Sequence, residues 1–160
     1  MDWLTLIGFA GAVMAAASTG AMFPPGRWYD ALVKPNWTPP NWVFPVAWTV
    51  LYSAMAYAAN RVSRTDAALA APAVAFFVLQ LVLNAVWSPV FFGLRRLGAA
   101  MVVLSLLWLS IAVMIWLFLR ADLIAGLLVA PYIVWASYAG ALNWWIWRAN
   151  PGVAAPAEGG

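Results

Sequence analysis

The chain has 160 residues, of which 66% are hydrophobic and 8% charged, with a mean hydropathy of +0.88 and a net charge of +3. A soluble domain carries about 25% charged residues, so this composition indicates a protein solvated mainly by lipid. Since the chain contains no Cys and no His, it lacks the residues for disulfides, structural zinc sites, thiol nucleophiles and imidazole bases. Most ordinary routes to catalysis are therefore excluded, and we expect neither a metal nor a cofactor.

Five apolar runs are long enough to cross the hydrocarbon core of a bilayer, which is about 30 Å thick and takes about 20 helical residues. None contains Asp, Glu, Lys or Arg, and all are too long and continuous for the roughly ten-residue alternating strands of a membrane barrel. We predict an all-α membrane protein, a five-transmembrane-helix bundle that forms one domain over residues 1–148. The runs are approximately 3–23, 43–60, 67–92, 97–119 and 123–147.

The two ends of the chain are read differently. Residues Met1-Asp2 carry no cation, and the first run is longer than the apolar part of a signal peptide, so we predict a retained helix. The last residues, 149–160, are mostly Pro, Gly and Ala with nothing to pack, and they are predicted to be disordered.

The charges between the runs bear on orientation. An odd number of spans places the termini on opposite sides, and the C-terminal side collects five of the eight Lys and Arg residues. By the positive-inside rule that side is expected to be cytosolic. Its cations are Arg27, Lys34, Arg95, Arg96 and Arg148.

The connection between the first two runs is rich in Pro and Trp. Prolines at 24–25 and 39–40 prevent a continuous helix, so at most a short helix is expected near 27–32. We predict a lid that folds over the mouth of the bundle; the alternative is a loop that lies in the lipid headgroups. Its aromatic residues are Trp28, Tyr29, Trp37 and Trp42.

Small residues and prolines indicate how the helices meet. In lipid, close packing favours columns of small residues four apart. One such column is predicted to pack inside the bundle, and the column on the third run is a candidate for a homodimer contact. Pro89 is expected to close or bend the third helix, and Pro131 to bend the fifth. The columns are Ala12, Ala16 and Gly20; Ala67, Ala71 and Ala75; and Ala136 and Gly140.

Polar side chains within the runs need partners that lipid does not supply. Gln80, Asn84 and Trp87 share one face of the third helix, and Asn143 lies near the end of the fifth. Two interpretations remain open. These groups either link helices to one another or line an internal cavity and address the polar groups of a mainly apolar ligand.

Large aromatic residues sit deep in the second and fifth runs. Trp48 and Tyr52 are one helical turn apart, and four residues of the fifth run fall on one helical face. Flat rings beside a small Ala predict a slot for a planar molecule, and aromatic filling between helices is the alternative. The four residues are Tyr132, Trp135, Ala139 and Leu142.

The chain up to Arg148 resembles the family of tryptophan-rich sensory proteins, also called translocator proteins or peripheral-type benzodiazepine receptors. The resemblance depends on six segments with fixed spacing. They are Arg27-Trp28-Tyr29, Lys34-Pro35-x-Trp37-x-Pro39-Pro40-x-Trp42-Val43-Phe44, Trp48-x-x-Leu51-Tyr52-x-x-Met55, Leu83-Asn84-x-x-Trp87-x-Pro89-x-Phe91-Phe92-Gly93, Pro131-Tyr132-x-x-Trp135 and Leu142-Asn143-x-x-x-Trp147-Arg148.

This resemblance implies a five-helix homodimer whose first long loop closes a pocket for porphyrins such as protoporphyrin IX and for isoquinoline or benzodiazepine ligands. By position, Trp48 and Trp135 match the tryptophans near the porphyrin, and Asn84 and Trp87 match pocket residues. Ala139 matches the Ala that is replaced by Thr in a human variant. Together with the residue patterns, the predicted ligand-binding residues are Trp37, Trp48, Tyr52, Asn84, Trp87, Tyr132, Trp135, Ala139 and Leu142.

The family's cholesterol motif is only partly present. Leu142 and Arg148 are kept, but Trp144 stands where the motif has Tyr. Such motifs are weak even when intact. We therefore expect no high-affinity sterol recognition here, and a lipid contact at these residues stays a hypothesis.

Three classes of function follow. The leading one is a membrane receptor that binds porphyrin and is linked to the regulation of tetrapyrrole metabolism. The others are translocation of porphyrin or sterol, for which no ionisable residue inside the runs could couple ions, and light-dependent porphyrin breakdown with Trp48 and Trp135 as redox candidates. The expected location is a bacterial envelope, inner or outer membrane, and no nucleic-acid partner is expected.

Overall fold

The computed structural model describes residues 2–152, and the regular structure in this range is entirely helical. Five long helices and one short helix follow one another along the chain, and a five-residue π-helical turn extends the third long helix. They are α1 (Trp3–Met22), α2 (Arg27–Ala31), α3 (Val43–Val62), α4 (Ala67–Ser88), the π turn (Pro89–Gly93), α5 (Leu97–Ala121) and α6 (Leu123–Ala149).

Aspartates begin three of these helices. The Asp2, Asp66 and Asp122 carboxylates accept hydrogen bonds from backbone N–H groups in the first turns of α1, α4 and α6. Such caps satisfy amide groups that no carbonyl of the helix can reach. Charged residues next to the apolar runs therefore also mark where α1, α4 and α6 start.

Pro89 ends the regular part of α4, as predicted. The backbone after Ser88 widens into the π turn, where the Leu94 N–H donates to the Pro89 carbonyl at 2.8 Å. Arg95 then takes a positive φ of 57°, and the chain turns into α5. Pro131 lies inside α6, which continues without a break to Ala149.

The five long helices form a closed ring in the order α1, α3, α6, α5, α4, with α4 returning to α1. The turn between α5 and α6 is very tight, since a Cβ on Gly126 would lie 2.7 Å from the Leu119 Cα. Large side chains that are at most 1% exposed fill the centre of the ring. They include Met55, Phe77, Ile111, Met114, Phe118, Val129 and Tyr132.

Within residues 2–152, four helices are long and apolar enough to cross a membrane: α1, α4 with its π turn, α5 and α6. Helix α3 is as long as α1 but carries more polar side chains, and it is not among the four. Apolar side chains such as Leu4, Val102 and Val134 are more than half exposed on the outer surface. The structure thus supports an all-helical integral membrane protein.

The first two residues of the predicted tail contact the bundle. Ala149 is the last residue of α6, and Asn150 is buried and hydrogen-bonded to Val33 in the connection between α1 and α3. A single Asn among Pro, Gly and Ala residues gives no sign of this contact in the sequence. The remainder of that prediction, residues 153–160, lies outside the described residues.

Candidate ligand-binding cavity

A cavity of about 430 Å³ lies at one end of the ring, between α1, α3, α4 and α6. The π turn and the connection between α1 and α3, residues 23–42, complete its walls. None of the described residues that line it carries a formal charge. A ligand held there is therefore recognised mainly through apolar contact.

Helix α1 supplies a wall without bulky side chains. Ala16, Ala17, Gly20 and Ala21 line the cavity, and a Cβ on Gly20 would approach the Ser88 Oγ only to 3.9 Å. The column of small residues predicted to pack helices together thus borders empty space at Ala16 and Gly20. Its small side chains leave the room that a ligand would fill.

Helix α3 supplies the largest flat surface. The rings of Trp48 and Tyr52 stack at 5.1 Å with an interplanar angle of 27°, and both residues line the cavity. Behind them, Tyr132 and Trp135 of α6 contact the Trp48 ring edge-on at 5.9 and 6.3 Å. The orientation of Trp48 is therefore fixed by neighbours on its own helix and on α6.

A second aromatic group lies on α4 and the π turn. The ring centroids of Trp87 and Phe91 are 4.9 Å apart, and those of Phe91 and Phe92 are 4.7 Å apart. The Trp87 Nε1–H donates to the Asn143 Oδ1 at 3.2 Å, and the Asn143 Nδ2 donates to the Leu97 carbonyl at 3.1 Å. Asn143 therefore links α6 to both α4 and α5, and it also lines the cavity.

A chain of buried hydrogen bonds leads from the cavity wall into the core. The Asn84 Nδ2 donates to the Tyr132 hydroxyl at 2.7 Å, and that hydroxyl donates to the Gln80 Oε1 at 3.1 Å. The Gln80 Nε2 in turn lies 3.6 Å from the Met55 Sδ. Of these four residues only Asn84 lines the cavity.

The connection between α1 and α3 contributes Phe23, Pro25, Tyr29 and Asn41 to the cavity. It contains α2, within the range predicted for a short helix, and burial raises the pKa of Tyr29 in that helix. The Lys34 Nζ donates to the Tyr29, Asp30 and Leu32 carbonyls at 2.7, 3.0 and 3.2 Å. This cation thereby stabilises the C-terminal end of α2.

Helix α6 and the next residue, Asn150, contact the connection between α1 and α3 at two places. Asn150 exchanges two hydrogen bonds with the Val33 backbone, accepting from N–H at 3.0 Å and donating to the carbonyl at 2.9 Å. The Tyr138 hydroxyl donates to the Trp37 carbonyl at 2.8 Å, and the two rings meet edge-on at 5.6 Å. The connection is thus attached to the end of the bundle on which the cavity opens.

Six of the nine predicted ligand-binding residues line the cavity: Trp48, Tyr52, Asn84, Trp87, Ala139 and Leu142. The other three do not line it: Tyr132 and Trp135 lie behind the wall, and Trp37 is 43% exposed on the connection between α1 and α3. Tyr132 is fully buried and bonds Asn84, Trp135 packs against Trp48 and Phe44, and Trp37 packs against Tyr138.

The residues proposed for a sterol motif do not share one surface. Leu142 is buried in the cavity wall, whereas Trp144 is 51% exposed on the outside, where the Arg148 guanidinium lies 5.9 Å from its ring. A lipid could contact Trp144 and Arg148 together, but Leu142 faces away from it.

Several lining residues were not selected from the sequence. The small α1 residues were read as packing, and Phe44, Phe91, Phe92 and Ile146 look like ordinary apolar residues of their runs. Two signals pointed to Phe91 and Phe92: they belong to one of the segments that carry the family resemblance, and they follow Pro89, where a widened turn redirects side chains.

An all-helical integral membrane protein with an uncharged, aromatic cavity at one end is the class that these features define. The chain belongs to the TspO/MBR family, which matches residues 4–148. It is 50% identical to Protein CrtK of Rhodobacter capsulatus over 88% of this chain and 89% of the relative. It is also 45% identical to the tryptophan-rich sensory protein of Cereibacter sphaeroides, over 94% of both chains, and 35% identical to the human translocator protein, over 94% and 92%.

Proposed function

We propose that the protein is a membrane receptor that binds protoporphyrin IX and related flat, apolar ligands and is linked to the regulation of tetrapyrrole metabolism. The observation that carries this proposal is the cavity itself, walled by aromatic rings and lined by no formal charge. Its volume of about 430 Å³ is within the range of small-molecule sites. Isoquinoline and benzodiazepine ligands have the same flat, apolar character.

The face of Trp48 is the proposed contact for the ring of the ligand. Aromatic rings stack in offset geometry and contribute about 0.5–1.5 kcal/mol beyond the area they bury. Trp48 is held in place by Tyr52, Tyr132 and Trp135, so it loses little side-chain freedom when a ligand stacks on it. Trp135 supports the site from behind.

The membrane arrangement is part of the proposal. Helix α3 lies in the ring between α1 and α6, both apolar enough to span, so we take α3 as the fifth span. Residues 23–42 then act as the lid. The protein would lie in a bacterial envelope with its C-terminal face cytosolic, and Ala71 and Ala75, exposed on α4, would form the homodimer contact.

Translocation of porphyrin or sterol is a second candidate, because several relatives are named translocator proteins. The packing favours binding over passage through the ring. Beyond the cavity, the described residues Met55, Phe77, Met114 and Phe118 have no exposed surface and occupy the centre of the bundle. A porphyrin could cross there only if this core opened.

Fluorescence titration tests the proposed receptor function. Protoporphyrin IX should quench indole emission saturably, and Trp48→Leu should weaken its affinity about tenfold because the stacking surface and its buried area are lost. Trp135→Phe should weaken it less. Trp116→Leu is the matched control, since Trp116 lies on α5, 57% exposed, and does not line the cavity.

Equal affinities in the Trp48→Leu variant and the parent protein would remove the stacking role. Flux of porphyrin into sealed vesicles separates the two functions. Saturable binding without flux supports a receptor, and flux that Trp48→Leu abolishes would favour translocation.

A further inference from the structure

The outer surface of the bundle carries a groove of about 590 Å³ between α5 and α6. On α6 it is lined mainly by small residues, among them Ala136, Gly140 and Ala141. A Cβ on Gly140 would meet nothing within 4 Å, so there is open space above this wall. The groove is separate from the ligand-binding cavity, because the cavity residues of α6, such as Ala139 and Asn143, lie on a different side of that helix.

The polar groups in the groove already have partners. The Trp108 Nε1–H donates to the Ser137 Oγ at 2.8 Å, and the Ser137 hydroxyl donates to the Ile133 carbonyl at 2.7 Å. The Ser105 hydroxyl donates to the Met101 carbonyl at 2.9 Å. None of the described residues that line the groove carries a formal charge. Because no hydrogen bond is left for an occupant to complete, the groove suits a hydrocarbon chain.

The groove covers the depth of one leaflet. Leu109 and Ala136, at its inner end, are the middle residues of α5 and α6, and Trp144 lies in the last two turns of α6. From Ala136 to Trp144 a helix rises about 12 Å, and the hydrocarbon of one leaflet is about 15 Å deep. The groove therefore runs from the middle of the bilayer to the interface at the end that holds the cavity.

Cations lie at the open end of the groove. The Arg148 guanidinium is 5.9 Å from the Trp144 ring, and Arg95 and Arg96 precede α5 at the same end. Among the described residues at this end only Asp30 is acidic. An acidic headgroup is attracted to such cations. A second copy of the chain fits less well, since a twofold contact through the groove would bring two Arg148 side chains together.

We propose that this groove binds an acyl chain of an anionic phospholipid whose phosphate pairs with Arg148. A zwitterionic phospholipid is disfavoured, because its ammonium group offsets the charge of the phosphate. Trp144 lies between the groove and Arg148, at the depth where aromatic residues meet the headgroups. This lipid site goes beyond the proposed receptor function and does not depend on it.

Native mass spectrometry of the full chain in detergent tests the site. The protein is titrated with dioleoylphosphatidylglycerol or dioleoylphosphatidylcholine, which have the same acyl chains and differ in headgroup charge. We expect one phosphatidylglycerol per chain, bound about fivefold more tightly than phosphatidylcholine, the contribution of one Arg near an anionic lipid. Cholesterol is titrated in the same way, and tighter binding of the sterol than of phosphatidylglycerol would overturn the proposal.

Arg148→Gln tests the headgroup contact. It removes the charge at the open end of the groove, so the ratio of the two lipid affinities should fall to about one. Arg120→Gln is the matched control, because the Arg120 guanidinium lies 5.6 Å from the exposed Trp116 ring in the same kind of pair, at the opposite end of the bundle. Its ratio should equal that of the parent protein.

Gly140→Leu tests the position of the acyl chain. The new side chain fills the groove, so both phospholipids should bind about tenfold more weakly because the apolar surface they bury is lost. Gly11→Leu is the matched control, since Gly11 is an exposed glycine of α1 whose Cβ would also meet nothing within 4 Å. Both variants gain the same helix propensity, and only Gly140→Leu should lose lipid.

Each part of the proposal can be contradicted separately. Equal affinities for the two phospholipids in the parent protein, or a preference that Arg148→Gln leaves unchanged, would overturn the headgroup contact. Lipid binding by Gly140→Leu at the level of the parent would overturn the groove as the site of the acyl chain. Loss of a dimer in Gly140→Leu with lipid binding retained would assign the groove to a second copy of the chain and overturn the proposal.

Discussion

Whether an aromatic residue lines the cavity depends on how its helix is rotated about its own axis. Trp48 and Trp135 are both deep in their runs, and the resemblance predicted both as ligand contacts, yet only Trp48 lines the cavity. The spacing of residues along α6 predicts which of them share a face, but not how α6 is rotated against α3. That rotation depends on packing contacts such as Phe44 against Trp135 at 5.8 Å, which no local pattern encodes.

Ala139 offers a test at the scale of one side chain. It lines the cavity on α6, and Ala139→Thr adds a methyl and a hydroxyl group to that wall. Overpacking of this kind costs about 1–3 kcal/mol, so we expect protoporphyrin IX to bind on the order of tenfold more weakly. Quenching titrations measure the change.

The neighbouring Gly140 provides the control for Ala139→Thr. A Cβ on Gly140 would meet nothing within 4 Å, and the residue does not line the cavity. Gly140→Ala should therefore retain the affinity of the parent protein. Unaltered binding in Ala139→Thr would show that the ligand does not reach this part of the wall.

At the scale of helices, the sequence predicted the boundaries well where charges and prolines mark them. The runs at 97–119 and 123–147 correspond to α5 (Leu97–Ala121) and α6 (Leu123–Ala149). The second run was ended at 60, before the charged Arg61, but α3 continues to Val62. Their partners explain why: Asn60 donates to the Asp2 carbonyl and Arg61 pairs with Asp122, both distant in sequence.

The attachment of residues 23–42 to Asn150 gives a prediction about motion. Asn150→Ala removes two hydrogen bonds to the Val33 backbone, each worth about 1 kcal/mol net, and adds no bulk. If these residues act as the lid, they should open more often. We expect association and dissociation of protoporphyrin IX to accelerate together, about tenfold, with little change in Kd. Stopped-flow quenching measures both rates.

Asn36→Ala is the matched control for that experiment, because Asn36 is an exposed amide of the same connection. Its rates should equal those of the parent protein. Faster dissociation alone in Asn150→Ala would mean that Asn150 supports the bound state and not the closure of the lid.

Over the whole molecule, the two ends of the bundle are built differently. One end holds the uncharged cavity, and the other holds the starts of α1, α4 and α6 with their capping aspartates. At this second end Arg61 contacts the Asp122 carboxylate at 2.8 and 3.0 Å, tying α3 to the turn between α5 and α6. The stability of the bundle thus has an electrostatic component far from the ligand.

Acid should weaken this component. Partial burial tends to raise the pKa of Asp122, but hydrogen bonds from the Ala125 N–H and from Arg61 outweigh it and hold the pKa below its usual range. A carboxyl whose pKa is lower in the folded state stabilises the fold above the unfolded pKa of about 3.9 and loses that effect as the pH falls through the folded value. Asp122→Asn should therefore unfold at a lower temperature than the parent at pH 7, and the difference should close toward pH 3.

Thermal unfolding in detergent across this pH range measures the difference. Asp30→Asn is the control, because Asp30 is exposed in α2 and its side chain accepts no hydrogen bond from the described residues. That variant should follow the parent at every pH. Acid removes only the ionised carboxylate of Asp122. A difference in unfolding temperature between Asp122→Asn and the parent that stays constant down to pH 3 would therefore assign the effect of the substitution to lost packing. A gap that closes would show that the charge of Asp122 fixes α3 to the α5–α6 turn.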